Sequence, residues 1–212
     1  MFDIDGTLVQ SFEFDEKCYL DAVHQVLGTT LDMRWNNYRH VTDSGILKQH
    51  LDTLGLSVDY DNILHKVKTV FIANIANHIN KYPVIETQGA AKLLSMLRKS
   101  PNINLAIATG GWLETAELKL KSAGIDFSDI PIASSNDHYS RTEIMKFAKA
   151  KLDTNEDSNT IYFGDAEWDK NACASLGYGF VLVGNRISNK LSILNFSDHD
   201  NVFNIINSFT VF

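Results

Sequence analysis

The sequence predicts an α/β protein: a doubly wound layer of parallel strands and helices, split after its first strand by an all-helical insertion. Three observations carry this expectation. Short apolar runs of β-branched and aromatic residues recur at 1–4, 103–109, 130–133, 160–163 and 179–183. The stronger ones end in Gly, Asp or Thr, as suits buried parallel strands. Amphipathic helical patterns separate the later runs, which is the rhythm of a doubly wound layer. Residues 13–85, by contrast, hold helical periodicity and almost no strand signal.

Taken in order, the run at 1–4 forms the first strand. Only Met1 and Phe2 precede Asp3, whereas a strand in the middle of a sheet typically takes about 5 residues. The expectation is that the natural chain begins earlier, or that this strand is weakly anchored and activity impaired. The insertion follows, with apolar stripes Cys18, Ala22, Val26; Ile46, Leu47, Leu51; and Leu64, Val67, Phe71, Ile75, and Pro83 ends it. A connection of about 70 residues inside a compact domain folds as its own unit. The predicted division is therefore an α/β core at 1–12 and 86–212 and a helical cap at 13–85. In the core, the helix at 90–98 places Leu93, Leu94 and Leu97 on one face. That at 113–123 places Leu113, Ala116, Leu120 and Ala123, and Gly124 is its stop signal. The helix at 142–152 buries Ile144, Phe147, Ala148 and Leu152.

Composition narrows the function. At 212 residues, with 44% hydrophobic and 21% charged, the chain is an ordinary globular protein. Its net charge of −7 disfavours nucleic acid, whose phosphates reward clustered Lys and Arg. An anionic substrate must meet local positive charge instead. Cys18 and Cys173 lie far apart without metal-ligand spacing, so a reducing cytoplasm is the simplest setting. The apolar runs are too short to span a bilayer, and no export leader is visible. Oligomeric state leaves no trace in the sequence.

Three segments carry candidate chemistry. In Asp3-Ile4-Asp5-Gly6-Thr7, residues two apart on a strand face the same way, so Asp3 and Asp5 share one pocket at the strand's end. Two such carboxylates repel unless a cation or shared proton relieves them; one serves as nucleophile while the other handles a proton. The bland alternative is a polar turn after an edge strand. Thr109-Gly110-Gly111 follows a strand and precedes a helix, so the hydroxyl and amides can grip an anion, although Thr-Gly-Gly also makes a plain turn. Asp165 ends a further strand, and Asp169 lies one helical turn on. Hard oxygen ligands at the carboxyl ends of parallel strands suit Mg²⁺; a helix cap at Asp165 is the compatible alternative.

Together these residues resemble the haloacid dehalogenase superfamily, in particular its phosphatases with a helical cap, such as phosphoglycolate phosphatase-like proteins. The family's first motif, DxDGT, is matched by Asp3 to Thr7; its second, a Ser or Thr ending a strand, by Thr109; its fourth, an acidic pair after an apolar strand, by Asp165 and Asp169. The resemblance implies a Rossmann-like core and a Mg²⁺-dependent phosphohydrolase acting on a small phosphorylated metabolite. Asp3 would be the nucleophile that becomes an aspartyl-phosphate, Asp5 the general acid and base, and Thr109 the group orienting the phosphoryl. Mg²⁺ would be held by the Asp3 carboxylate, the Asp5 carbonyl and Asp165, with Asp169 in or near its shell, so the carboxylates at 3, 5 and 165 are expected to meet around one ion. The family's dehalogenase branch lacks the second Asp, so Asp5 argues for phosphate. The third motif, a Lys or Arg often followed by Pro, has no Lys-Pro match; Arg141 is the first choice and Lys146 the second.

The insertion should read the leaving group. Its polar loop holds Arg39, His40, Thr42 and Asp43 as candidate substrate contacts, against the alternative that Ser44 or Asp43 simply caps the next helix. The three tryptophans are assigned to packing, with Trp112 and Trp168 near the pocket. A phosphomutase with the same motifs, and a binding protein that has lost activity, are the competing functions. Phosphoglycolate, sugar phosphates and nucleotides all remain open as substrates.

Overall fold

A computed structural model describes residues 1–152 and 158–209. The chain begins inside the sheet. Phe2 pairs in parallel with Ile107 on one side and Phe163 on the other. The Phe2 and Asp3 amides donate to Ala106 and Phe163, and those of Ala108 and Phe163 donate back to Phe2 and Met1. Phe2 also stacks on Phe163, with ring centroids 4.8 Å apart. Short as it is, the segment is anchored by hydrogen bonds on both flanks and by aromatic burial, so its hold does not depend on length.

After it come β1 (Val9–Gln10), α1 (Phe12–Leu27), α2 (Asp43–Leu54), α3 (Tyr60–Lys81) and β2 (Ile85–Glu86). Strands β1 and β2 form an antiparallel pair with Val9 opposite Glu86 and Gln10 opposite Ile85. Both are two residues long and gave no periodic signal. The remaining elements are α4 (Ala90–Leu97), β3 (Ile107–Ala108), α5 (Leu113–Ser122), β4 (Ile132–Ala133), α6 (Arg141–Ala150), β5 (Ile161–Gly164), α7 (Glu167–Leu176), β6 (Gly179–Val183), β7 (Ser192–Ile193) and α8 (His199–Ser208). All pairings from β4 to β7 are parallel, in the order β4, β3, residues 1–3, β5, β6, β7.

Alternation along the strands divides the core into two layers. Phe2, Ile107, Phe163 and Val181 face α4, α5 and α8, where Leu93, Leu97, Leu120, Val202 and Ile206 close the layer. Ala106, Ala108, Ala133 and Tyr162 face α6 and α7. The doubly wound α/β architecture is thus observed. On α6 the buried stripe is Ile144, Met145 and Ala148, while Phe147, expected inside, is 43% exposed and lies beside the His138 ring, centroids 6.5 Å apart. The inward face is rotated by one residue because Arg141, at the head of the helix, belongs to it.

Helices α1 to α3 carry a separate core of Tyr19, Val23, Leu47, Leu51, Val67, Phe71 and Ile75, which Trp112 from the start of α5 completes. Gly28 and Gly55, which the sequence reading did not single out, adopt left-handed conformations that stop α1 and α2. No described helix is long and apolar enough to cross a membrane.

Candidate active site

The carboxyl ends of residues 1–3, β3 and β5 meet beneath the loop preceding α2 and enclose a cavity of about 90 Å³. Asp3, Asp5, Thr109, Gly110, Gly111, Arg141 and Asp165 line its floor, and Thr42 and Asp43 its roof.

Asp3 is buried at the end of the central segment. One oxygen each from Asp3, Asp165 and Asp169 lie within 4.8 Å of one another. Burial first, then the charge of Asp169, hold the Asp3 carboxyl well above the usual carboxylate range, against the opposing pull of Arg141. Burial and Asp169 likewise raise Asp165 to about 6. Gly6 makes this crowding possible: it adopts φ +78°, and a Cβ there would fall onto the Asp165 carboxylate. Three clustered oxygens with no nitrogen or sulfur suit a hard cation, and the raised affinity for protons is what a divalent ion would relieve. Asp165 is paired with Arg186, whose side chain is 37% exposed, so this partner can yield to an ion. Asp169 is committed elsewhere: it accepts from Arg141 Nη1 at 2.7 Å and from the Ala166 amide at 3.2 Å. Asp3 and Asp165 are therefore the freer ligands, and Asp169 stands behind them.

The expected meeting of carboxylates 3, 5 and 165 is corrected in one member. Asp169 takes the third place, and the Asp5 carboxylate turns to the other side of the cavity. There it accepts from the ammonium of Lys119 through both oxygens, at 2.6 and 2.7 Å, and from the Ser11 hydroxyl. The helix-cap alternative for Asp165 also fails, because Ala166 occupies the N-cap position of α7 and Asp165 faces Arg186.

Arg141 enters from α6, its side chain 11% exposed, with Nη1 3.6 Å from Asp3 Oδ1. Its Nη2 donates to the Val41 carbonyl, and Gly110 leaves room for it, since a Cβ there would collide with the guanidinium. Lys146, the second choice, lies outside: it pairs with Glu143 on the surface at 2.8 Å. Thr109 is buried with its hydroxyl accepting from the Gly111 amide at 3.1 Å. The head of α5 is taken from above, where the Trp112 amide donates to Asp43 Oδ2 at 2.8 Å, a carboxylate at a helix N-terminus.

The loop of residues 39–44 divides. Thr42 donates to the Tyr139 carbonyl and caps α2 by accepting from Gly45, so Thr42, not Asp43 or Ser44, is the cap. Ser44 bonds to Ser135, and the Asp43 amide to the Gly110 carbonyl. Arg39 stays exposed, its amide donating to Gln49, and the site does not gather it. His40 packs edge-on against Tyr139.

Three participants escaped sequence reasoning. Lys119 left a signal, a lysine between Thr115, Ala116 and Leu120 on the buried face of α5. Asp15 sits in the acidic first turn of α1, where such residues are ordinary. Arg186 comes from the loop after β6 and stacks on Phe12, 3.6 Å from its ring centroid, which no local pattern announces.

The family model of haloacid dehalogenase-like hydrolases matches residues 1–183. No curated protein sequence matches the chain. Among solved structures, a hydrolase from Pseudomonas syringae superposes with a TM-score of 0.76 at 23% identity, covering 97% of each chain. The β-phosphoglucomutase of Clostridium difficile superposes with 0.74 at 19% identity, covering 100% of this chain and 97% of that one. CbbY from Rhodobacter sphaeroides, solved with phosphate, superposes with 0.70 at 17% identity over 93% of both. At these identities the likenesses speak to fold.

Proposed function

The chain belongs to the haloacid dehalogenase-like hydrolases, and from that premise we propose that it is a Mg²⁺-dependent phosphatase of a small phosphorylated metabolite, with Asp3 as nucleophile. The observation that carries this reading is the position of Asp3. It ends the central segment of the sheet, with Arg141 on one side, Thr109 lining the same cavity and a second carboxylate, Asp5, across it.

In the proposed reaction an Asp3 oxygen attacks phosphorus and the bond to the leaving oxygen breaks, giving an aspartyl-phosphate. Asp5 delivers a proton to that leaving oxygen. A water then attacks the phosphoryl group, Asp5 takes its proton, and Asp3 is regenerated with release of phosphate. The Arg141 guanidinium and Thr109 hydroxyl hold the phosphoryl oxygens, where most of the advantage in phosphoryl transfer arises. Mg²⁺ held by Asp3, the Asp5 carbonyl and Asp165, with Asp169 behind, would supply the charge that lets two anions approach. The cavity suits a small monoester, and CbbY complexes with phosphate and with xylulose-1,5-bisphosphate make a phosphorylated metabolite the natural substrate class. Two free, buried cysteines suit a reducing cytoplasm.

The test is phosphate release from p-nitrophenyl phosphate and a panel of phosphorylated metabolites, with and without Mg²⁺. Asp3→Asn should lower turnover by at least about 10³-fold while leaving the melting temperature near that of the parent. A variant that keeps its turnover removes Asp3 from the chemistry.

A further inference from the structure

Lys119 has no exposed surface. Its ammonium, carried on the inner face of α5, donates to both oxygens of Asp5 and, at 2.7 Å, to Asp15 Oδ1. Burial works against this charge, and the Asp15 and Asp5 carboxylates more than offset it, holding the lysine above its usual pKa. The phosphoryl side of the cavity already has a cation in Arg141, and Lys119 is not among the residues lining the cavity. It lies behind Asp5, so its role is exerted through Asp5.

Two features suggest what that role is. First, Asp5 stands at a turn of the chain, beside Gly6 with φ +78°, and its carboxylate is held from its own side chain outward. Donors on both oxygens, from Lys119 and Ser11, fix its plane, as charge-assisted contacts do. A compact ammonium with three donors can serve two carboxylates at once, which the flat fork of an arginine does not fit. Second, the contacts come from different parts of the fold. Lys119 belongs to the core helix α5, whereas Ser11 precedes α1 and Asp15 sits in its first turn. A buried ammonium stripped of one of its two carboxylates is poorly compensated, so the arrangement is complete only with α1 seated.

We propose that Lys119 is a positioning residue that aims the Asp5 carboxylate at the leaving oxygen and makes that aim conditional on the docking of α1. The proposal rests on the reading of Asp5 as the proton carrier. Its signature is dependence on the leaving group: an alkyl phosphate needs a well-placed acid, whereas p-nitrophenolate departs with little help.

The experiment uses the full chain with Lys119→Met, Asp15→Asn and the double variant. Substrates are p-nitrophenyl phosphate and whichever of glycerol 2-phosphate or phosphoglycolate the parent hydrolyses. Lys119→Met should lower kcat on the alkyl ester by about 10²-fold, lower it by only about tenfold on p-nitrophenyl phosphate, and leave KM within about threefold. Asp15→Asn should show the same pattern more weakly, and the double variant should be no worse than Lys119→Met, because both act through one contact. Equal losses on both substrates, a loss confined to KM, or multiplying effects overturn the proposal. If Lys119→Met does not fold, Asp15→Asn, which keeps the lysine paired with Asp5, decides by the same criterion. Hydrogen exchange provides a readout independent of turnover: amides in α1 should exchange faster in whichever variant folds, while those in β5 stay as in the parent. If the parent hydrolyses nothing, the phosphatase reading fails on its own, and unchanged exchange in α1 would overturn the positioning role separately.

Discussion

Arg141 and Lys146 stand on one helix, five residues apart, and their environments differ completely. Arg141, Ile144, Met145 and Ala148 form one stripe at i, i+3, i+4 and i+7, the inward face of α6, while Lys146 points to solvent and pairs with Glu143. That stripe is present in the sequence, so the choice between the two cations was legible in the pattern, once Phe147 is excluded from the face. Arg141→Ala should lower kcat by about 10²-fold or more, and Lys146→Ala should leave it within about twofold; steady-state kinetics on one substrate compares them. Equal losses would mean that the cation at the head of α6 has been misassigned. Lys119 shows the opposite lesson. A lysine on an apolar face is ordinarily a snorkelling surface residue, and only its distant partners Asp5 and Asp15 reveal that it is fully buried.

Among elements, those with three or more apolar residues in register were the readable ones. The runs at 160–163 and 179–183 appear as β5 and β6, and that at 130–133 shortens to β4, Ile132–Ala133, whereas β1, β2 and β7, two residues each, carry no period to detect. The run at 103–109 shortens to β3, Ile107–Ala108, because both its neighbours in the sheet, β4 and the segment at 1–3, are as short and a ladder ends with its partners. The loop after that segment is where sequence and geometry agree most closely. Gly6 must take a positive φ and must lack a Cβ for Asp165 to approach. Gly6→Ala should therefore destabilise the chain by about 1–3 kcal/mol and also weaken Mg²⁺ binding, measured by denaturant unfolding and titration calorimetry. A loss of stability with unchanged affinity would separate the turn from the metal site.

For the molecule as a whole, the joint between the helices α1 to α3 and the core was the least legible feature. Ser44 meets Ser135, Thr42 meets the Tyr139 carbonyl and Asp43 meets Trp112, all across separations in sequence that no local pattern spans. The acidic cluster, by contrast, has a global consequence that follows from its chemistry. Burial and Asp169 raise Asp165 to about 6, and Asp3 is held high for the same reasons. Between the ordinary carboxylate value and about 6, the folded metal-free chain keeps protons that the unfolded chain releases, so this cluster's contribution to stability falls as pH rises through that window. A metal needs the ionised carboxylates, so Mg²⁺ should add most above it. Saturating Mg²⁺ should raise the melting temperature by roughly 5–10 °C at pH 7.5 and by less than about half as much at pH 5. An equal shift at both values would place the ion elsewhere.

The antiparallel pairing of Val9 with Glu86 and Gln10 with Ile85 sets the two ends of the intervening helices side by side, one strand spacing apart, about 4.8 Å. A stretch of chain whose ends already touch can be spliced out and another grafted in, because the host backbone has no gap to bridge beyond a hairpin turn of about two to five residues. Recombination at this one joint would exchange the roof of the cavity and leave its floor, with Asp3, Thr109 and Arg141, in the same register.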